Sequence, residues 1–119
     1  MPKYMLLLHD DPSAFRTVSP EQMQKIIEKY VAWGSKLRSA GVLVASDKLT
    51  NDPGRVMRGK NGQVRVTDGP YSESKEVLGG YYTIQAGSYD EAMDRARECP
   101  QLEYGGTIEV RQVDEMKRG

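Results

Sequence analysis

Apolar and polar positions change period several times along this chain, and each change marks an element. Tyr4 to Leu8 is a continuous apolar run. A half-exposed strand would alternate, so the run predicts a buried central strand. The turn formers His9-Asp10-Asp11-Pro12 close it. Further on, Met23, Ile26, Ile27, Tyr30, Val31, Trp33 and Leu37 recur at helical spacing and give one broad apolar face. Ser19-Pro20-Glu21-Gln22 opens that helix: Ser19 caps, Pro20 suits the first helical position, and Gln22 completes a capping box. Gly41 after Ala40 is a natural stop.

Val42 to Ala45 is a second apolar run and predicts a second buried strand. Arg55 to Arg58 and Gln63 to Thr67 flank Asn61-Gly62, the strongest short hairpin signal. Val56, Val64 and Val66 are expected on the inner face of that hairpin and the arginines on its outer face. Asp68-Gly69-Pro70-Tyr71 reads as a turn, and a polar stretch continues to Glu76. Tyr81 to Ala86 alternates as a strand. Ser88-Tyr89-Asp90-Glu91 starts a second helix, whose stripe is Tyr89, Ala92, Met93, Ala96 and Cys99, and Pro100 is expected to end it. Thr107 to Val113 is a last strand with Ile108 and Val110 on one side.

The order is β-α-β, an inserted hairpin, then β-α-β. It predicts an α+β fold with a ferredoxin-like split β-α-β sheet and helices on one face. The first strand is apolar on both faces, so the bare sheet face needs a cover. The simplest cover is the same face of a second copy about a two-fold axis, which predicts a homodimer.

Composition narrows the function without choosing it. The 119 residues make one domain, 1–119. Seventeen basic and seventeen acidic side chains cancel, leaving no global field for nucleic acid or an anionic membrane. Cys99 is the only cysteine, so neither an intrachain disulfide nor a cysteine-based zinc cluster is expected. With no signal-peptide pattern and no run of spanning length, the expectation is a cytoplasmic protein.

Several segments together resemble a known family. Asp68-Gly69-Pro70-Tyr71-Ser72-Glu73-Ser74-Lys75-Glu76, followed by Leu78-Gly79-Gly80-Tyr81-Tyr82, is similar to the signature of the DGPF branch of the YCII-related proteins. There the motif usually reads Asp-Gly-Pro-Phe, then Ala-Glu-Thr-Lys-Glu. Here Tyr71 stands for Phe, and Ser72 and Ser74 for Ala and Thr. Lys3 to Leu8, Ala40 to Leu43 and Tyr104 to Arg111 extend the resemblance over nearly the whole chain. It implies a dimeric α+β barrel. Some YCII relatives are enzymes, one acting on a chlorinated aromatic ring, with a His-Asp pair proposed as catalytic. In small YCII proteins that His lies on the first helix, where this chain has Tyr30. DGPF relatives also occur beside or fused to extracytoplasmic-function sigma factors, which implies a regulatory context.

The candidate chemistry is sparse. His9, the only histidine, sits at the exit of the first strand beside Asp10 and Asp11. Its bland alternative is a solvated turn. Adjacent strand residues point to opposite faces, so Asp10 is poorly placed to pair with it. Asp68 has the best claim to a role as general base or ligand acceptor, against the alternative that it only caps its turn. Tyr71 is a candidate aromatic lid. Lys75 is a candidate for neutralising an anionic ligand, with Glu73 holding it, against the alternative of a solvated charge run. Gly79-Gly80 lacks the strand-to-helix setting of a phosphate loop. No metal site and no cofactor is expected, and Cys99 on its apolar stripe reads as inert core.

Two readings follow. In the first, the chain binds a small molecule beneath the Asp68 to Glu76 loop. As an enzyme it would run acid–base chemistry with Asp68 as base and Tyr30 and His9 as partners. In the alternative it is a non-catalytic regulatory or interaction module in a sigma-factor context.

Overall fold

A computed structural model describes residues 1–15, 17–69 and 76–116 of the chain. Its elements in order are β1 (Lys3–Asp10), a short 3-10 helix (Pro12–Phe15), α1 (Pro20–Ser39), β2 (Leu43–Lys48), β3 (Arg55–Lys60), β4 (Gln63–Asp68), β5 (Val77–Gln85), α2 (Tyr89–Ala96), α3 (Pro100–Glu103) and β6 (Thr107–Gln112). Four strands form one sheet in the order β2-β5-β1-β6, each neighbouring pair antiparallel. β3 and β4 form a separate two-stranded ribbon. The mixed α+β class and the alternation of elements follow the sequence pattern.

Local chemistry explains most boundaries. Ser19 accepts from the Gln22 backbone N–H, and Gln22 returns a bond from its side chain to the Ser19 N–H, so the capping box forms in full. Ser88 caps α2 by accepting from the Glu91 N–H. In the ribbon turn, Asn61 and Gly62 both have positive φ, 52° and 78°. That is the turn whose twist matches two paired strands, and it requires such residues.

The core lies between the sheet and the helices. Tyr4, Leu6 and Leu8 of β1, Ile84 of β5, Trp33 and Leu37 of α1, and Ala92 and Ala96 of α2 pack into one buried cluster. The Trp33 and Tyr82 rings meet edge to face at 4.5 Å, and the Trp33 indole N–H donates to the Arg95 carbonyl. That bond lets the Trp33 ring sit inside without leaving its N–H unpaired.

Several sequence expectations need correction. β1 is central, yet its burial alternates: Met5 and Leu7 are only half-buried, because no helix covers their face of the sheet. β2 is an edge strand, with Leu43 half-buried and the rest exposed, not a buried one. The apolar face of α1 is narrower than its pattern suggests, since Ile27 and Val31 are exposed. Pro100 begins α3 rather than simply ending α2, using the first helical position where its missing N–H costs nothing. In the ribbon, Val64 and Val66 lie opposite Gly59 and Met57. Val56 projects to the other face with Arg58 and Arg65, as strand alternation demands.

Candidate functional site

The carboxyl end of β1 is where the fold concentrates polar groups under cover. The strand pairing slips by one residue between Leu8 and His9, so His9 faces Leu78 and Asp10 faces Val77. His9 and Asp10 then point to opposite sides of the sheet. His9 turns to the open face, where its Nε2 lies 3.2 Å from Glu109 Oε1 on β6. Asp10 turns toward the helices and is half-buried.

Gln101, 4% exposed, lies at the centre of a helix-side polar cluster. Its Nε2 donates to the His9 carbonyl at 2.7 Å, and its Oε1 accepts from the Tyr30 hydroxyl at 2.5 Å. Its amide also hydrogen-bonds the Asp10 carboxylate. A glutamine amide has two donors and an oxygen with two lone pairs, and both its nitrogen and its oxygen are engaged here. Tyr30 comes from α1, Gln101 from α3 and Asp10 from β1, so three elements converge on one point.

Burial pushes the Asp10 carboxyl above its ordinary range, with Asp11 and Glu76 adding repulsion. The hydrogen bond from Gln101 and the nearby Lys48 charge pull the other way and lose. Burial likewise raises the Tyr30 phenol, with the Asp10 charge contributing, so Tyr30 keeps its proton at neutral pH. The site therefore holds a carboxyl that titrates closer to neutrality and a phenol fixed as a donor to Gln101. The remaining lone pairs of Tyr30 can accept from a bound hydroxyl. Glu76 accepts from the Thr107 hydroxyl at 3.0 Å.

The other sequence candidates fall elsewhere or outside the described residues. Asp68 is the last residue of β4, 85% exposed at its side chain, with its carboxylate 3.2 Å from Arg55 Nε directly across the ribbon. Tyr71, Glu73 and Lys75 lie outside the described residues. The His9 imidazole and the Tyr30 hydroxyl are on opposite faces, and only the His9 backbone joins the Gln101 network. Nothing local in the sequence marks Asp10 as an acid–base group or Gln101 as its partner. A glutamine after Pro100 carries no local signal. Its one clue is the following Gly105-Gly106. A Cβ on Gly106 would lie 2.4 Å from Gln101 Nε2, so that glycine exists to admit the amide.

Elsewhere, a surface groove of about 610 Å³ runs between α1 and α3, lined by Lys29, Trp33, Lys36, Arg97 and Cys99 among others. Two of its cations are already matched, Lys29 to Glu103 and Lys36 to Glu98. Burial raises the Cys99 thiol to about 11, so it is a thiol and not a nucleophilic thiolate at neutral pH. Among the described residues no group of three His, Cys, Asp or Glu side chains converges to hold a metal ion. Among those residues, too, no helix is long and apolar enough to cross a membrane.

Comparison with known proteins gives three results. The model of the YCII-related domain family matches residues 2–117. An uncharacterised protein of Rhizobium meliloti (strain 1021), R00369, is 32% identical over 118 residues, covering 98% of this chain and 95% of that one. Among solved structures, the fold is similar to 5-chloro-2-hydroxyhydroquinone dehydrochlorinase (TftG) from Burkholderia phenoliruptrix AC1100, in complex with 2,5-dihydroxybenzoquinone. That match has a TM-score of 0.52 at 13% identity and covers all of this chain and 96% of the other.

Proposed function

The chain belongs to the YCII-related family, and from that premise we propose that it binds a small hydroxylated molecule at the end of β1 and exchanges a proton with it through Asp10. One observation carries this reading. A half-buried carboxyl with a raised pKa is held by a buried glutamine beside a protonated phenol. Nothing in core packing needs that expense, and perturbed groups of this kind cluster at functional sites. A carboxyl titrating nearer to neutrality is also a better proton acceptor and donor at working pH.

The ligand class follows from the donors and acceptors. An enolic or phenolic hydroxyl can give its proton to Asp10 and lean on the Tyr30 oxygen. The bound quinone of the dehydrochlorinase is a ligand of that class. Asp68, Tyr71, Glu73 and Lys75 of the DGPF-type motif are further candidates for contact with that ligand.

The domain spans residues 1–119 and works as a cytoplasmic homodimer. We read the strand order β2-β5-β1-β6 as a ferredoxin-like split β-α-β sheet, with two copies facing each other as a dimeric α+β barrel. The half-buried Met5 and Leu7 on the open face support that pairing. The alternative is an interaction module in a sigma-factor context, favoured by the exposed Ile27 and Val31 on α1.

A thermal-shift screen with phenolic and keto acids decides between the two. Wild type should gain melting temperature with members of the panel, and Asp10→Asn should lose that gain while staying folded. A gain that survives in Asp10→Asn removes Asp10 from the site. An unresponsive wild type moves the reading to the interaction module.

A further inference from the structure

The β3–β4 ribbon carries a surface that its own chain leaves bare. Its register puts Met57 against Val66 and Gly59 against Val64, so these side chains share one face. Met57 is 68% exposed, Val64 63% and Val66 57%. An isolated two-stranded ribbon is marginal in water. An alternating strand pair places apolar residues together when that face has something to cover.

The shape of the molecule points the same way. Its radius of gyration is 16.4 Å, whereas a compact domain of this length has about 13.5 Å. The thinnest dimension is 19 Å, that of a sheet with one layer of helices. We propose that the β3–β4 ribbon is a clasp for a second copy of this chain, its Met57, Val64 and Val66 face continuing the interface made by the open sheet face. The clasp rests on the dimer reading given above and extends it to a second element.

A second copy is the occupant that fits, for three reasons. The chain carries no net charge, so two copies meet without repulsion. In a two-fold pair, a bare surface on one copy is covered together with its equivalent on the other. The areas also match. Four strands of six to nine residues, about 4.8 Å apart and rising about 3.3 Å per residue, present roughly 400 Å² in plan, and the ribbon roughly 200 Å². The relief of side chains raises that sum toward the ~800 Å² per partner of a stable interface, which the sheet face alone does not reach.

Sedimentation equilibrium of the full chain tests this, run on wild type, Val66→Glu and Met57→Lys. Wild type should be dimeric at micromolar concentration. Both variants should weaken association by about tenfold or more with unchanged circular dichroism. Amide exchange across residues 55–68 should slow as wild-type concentration rises. A dimeric wild type whose affinity neither variant changes, or an exchange rate indifferent to concentration, overturns the clasp and leaves the sheet-to-sheet dimer standing. A monomeric wild type overturns both.

Discussion

Asp10 sits where two requirements conflict. Burial penalises its charge, and the Gln101 amide and Lys48 only partly compensate. The sign for stability follows from linkage. A carboxyl raised in the folded state favours folding fully only below its unfolded value, near 3.8, and that contribution is lost as pH rises through the folded value. At neutral pH the ionised Asp10 is therefore a net cost. Asp10→Asn removes the cost and keeps an oxygen to accept from Gln101. Its melting temperature should equal or exceed that of wild type at pH 7, and the gap should close in acid below the ordinary carboxylate range. A clear loss of melting temperature in Asp10→Asn at pH 7 would mean that the carboxylate is structural. Tyr30 stands out in the sequence because it occupies the helix position where the family resemblance expects a His. Asp10 and Gln101 do not, because their proximity arises from a contact made across most of the chain.

At the scale of elements, α3 and the turn after it act as the site's support. α3 is a single turn, held at its start by Pro100 and at its end by the Gly106 N–H donating to the Gln101 carbonyl at 2.9 Å. Adding a methyl at Gly106 drives it into the Gln101 amide, at 2.4 to 2.8 Å from three of its side-chain atoms. Gly106→Ala should cost about 1–3 kcal/mol, the usual penalty for overpacking, in urea denaturation. It should also free the Tyr30 hydroxyl from Gln101 and abolish ligand stabilisation. If Gly106→Ala binds ligand as wild type does, Gln101 does not organise the site. The caps at Ser19 and Ser88 and the Asn61-Gly62 turn could be read from sequence because each is a local motif with a fixed spacing. The edge position of β2 and the bare ribbon face could not, because apolar runs look alike whether a helix, a neighbouring strand or another molecule covers them.

At the scale of the molecule, one thin layer of helices covers one side of the sheet, and the Asp10, Tyr30 and Gln101 cluster forms where β1, α1 and α3 meet. The two faces of β1 thereby take different tasks. One face, through Tyr4, Leu6 and Leu8, builds the core and ends in the Asp10 site; the other, through Met5 and Leu7, remains for association. The division depends on Asp10 being a carboxyl whose charge the whole fold disfavours. A pH titration of the side-chain carboxyl ¹³C resonances of the intact protein, assigned at Asp10, reads this directly. Asp10 should titrate clearly above 3.8, and substituting Gln101→Leu should raise it further by removing the one hydrogen bond that favours its charged form. An Asp10 that titrates at or below 3.8 would contradict the account of this site.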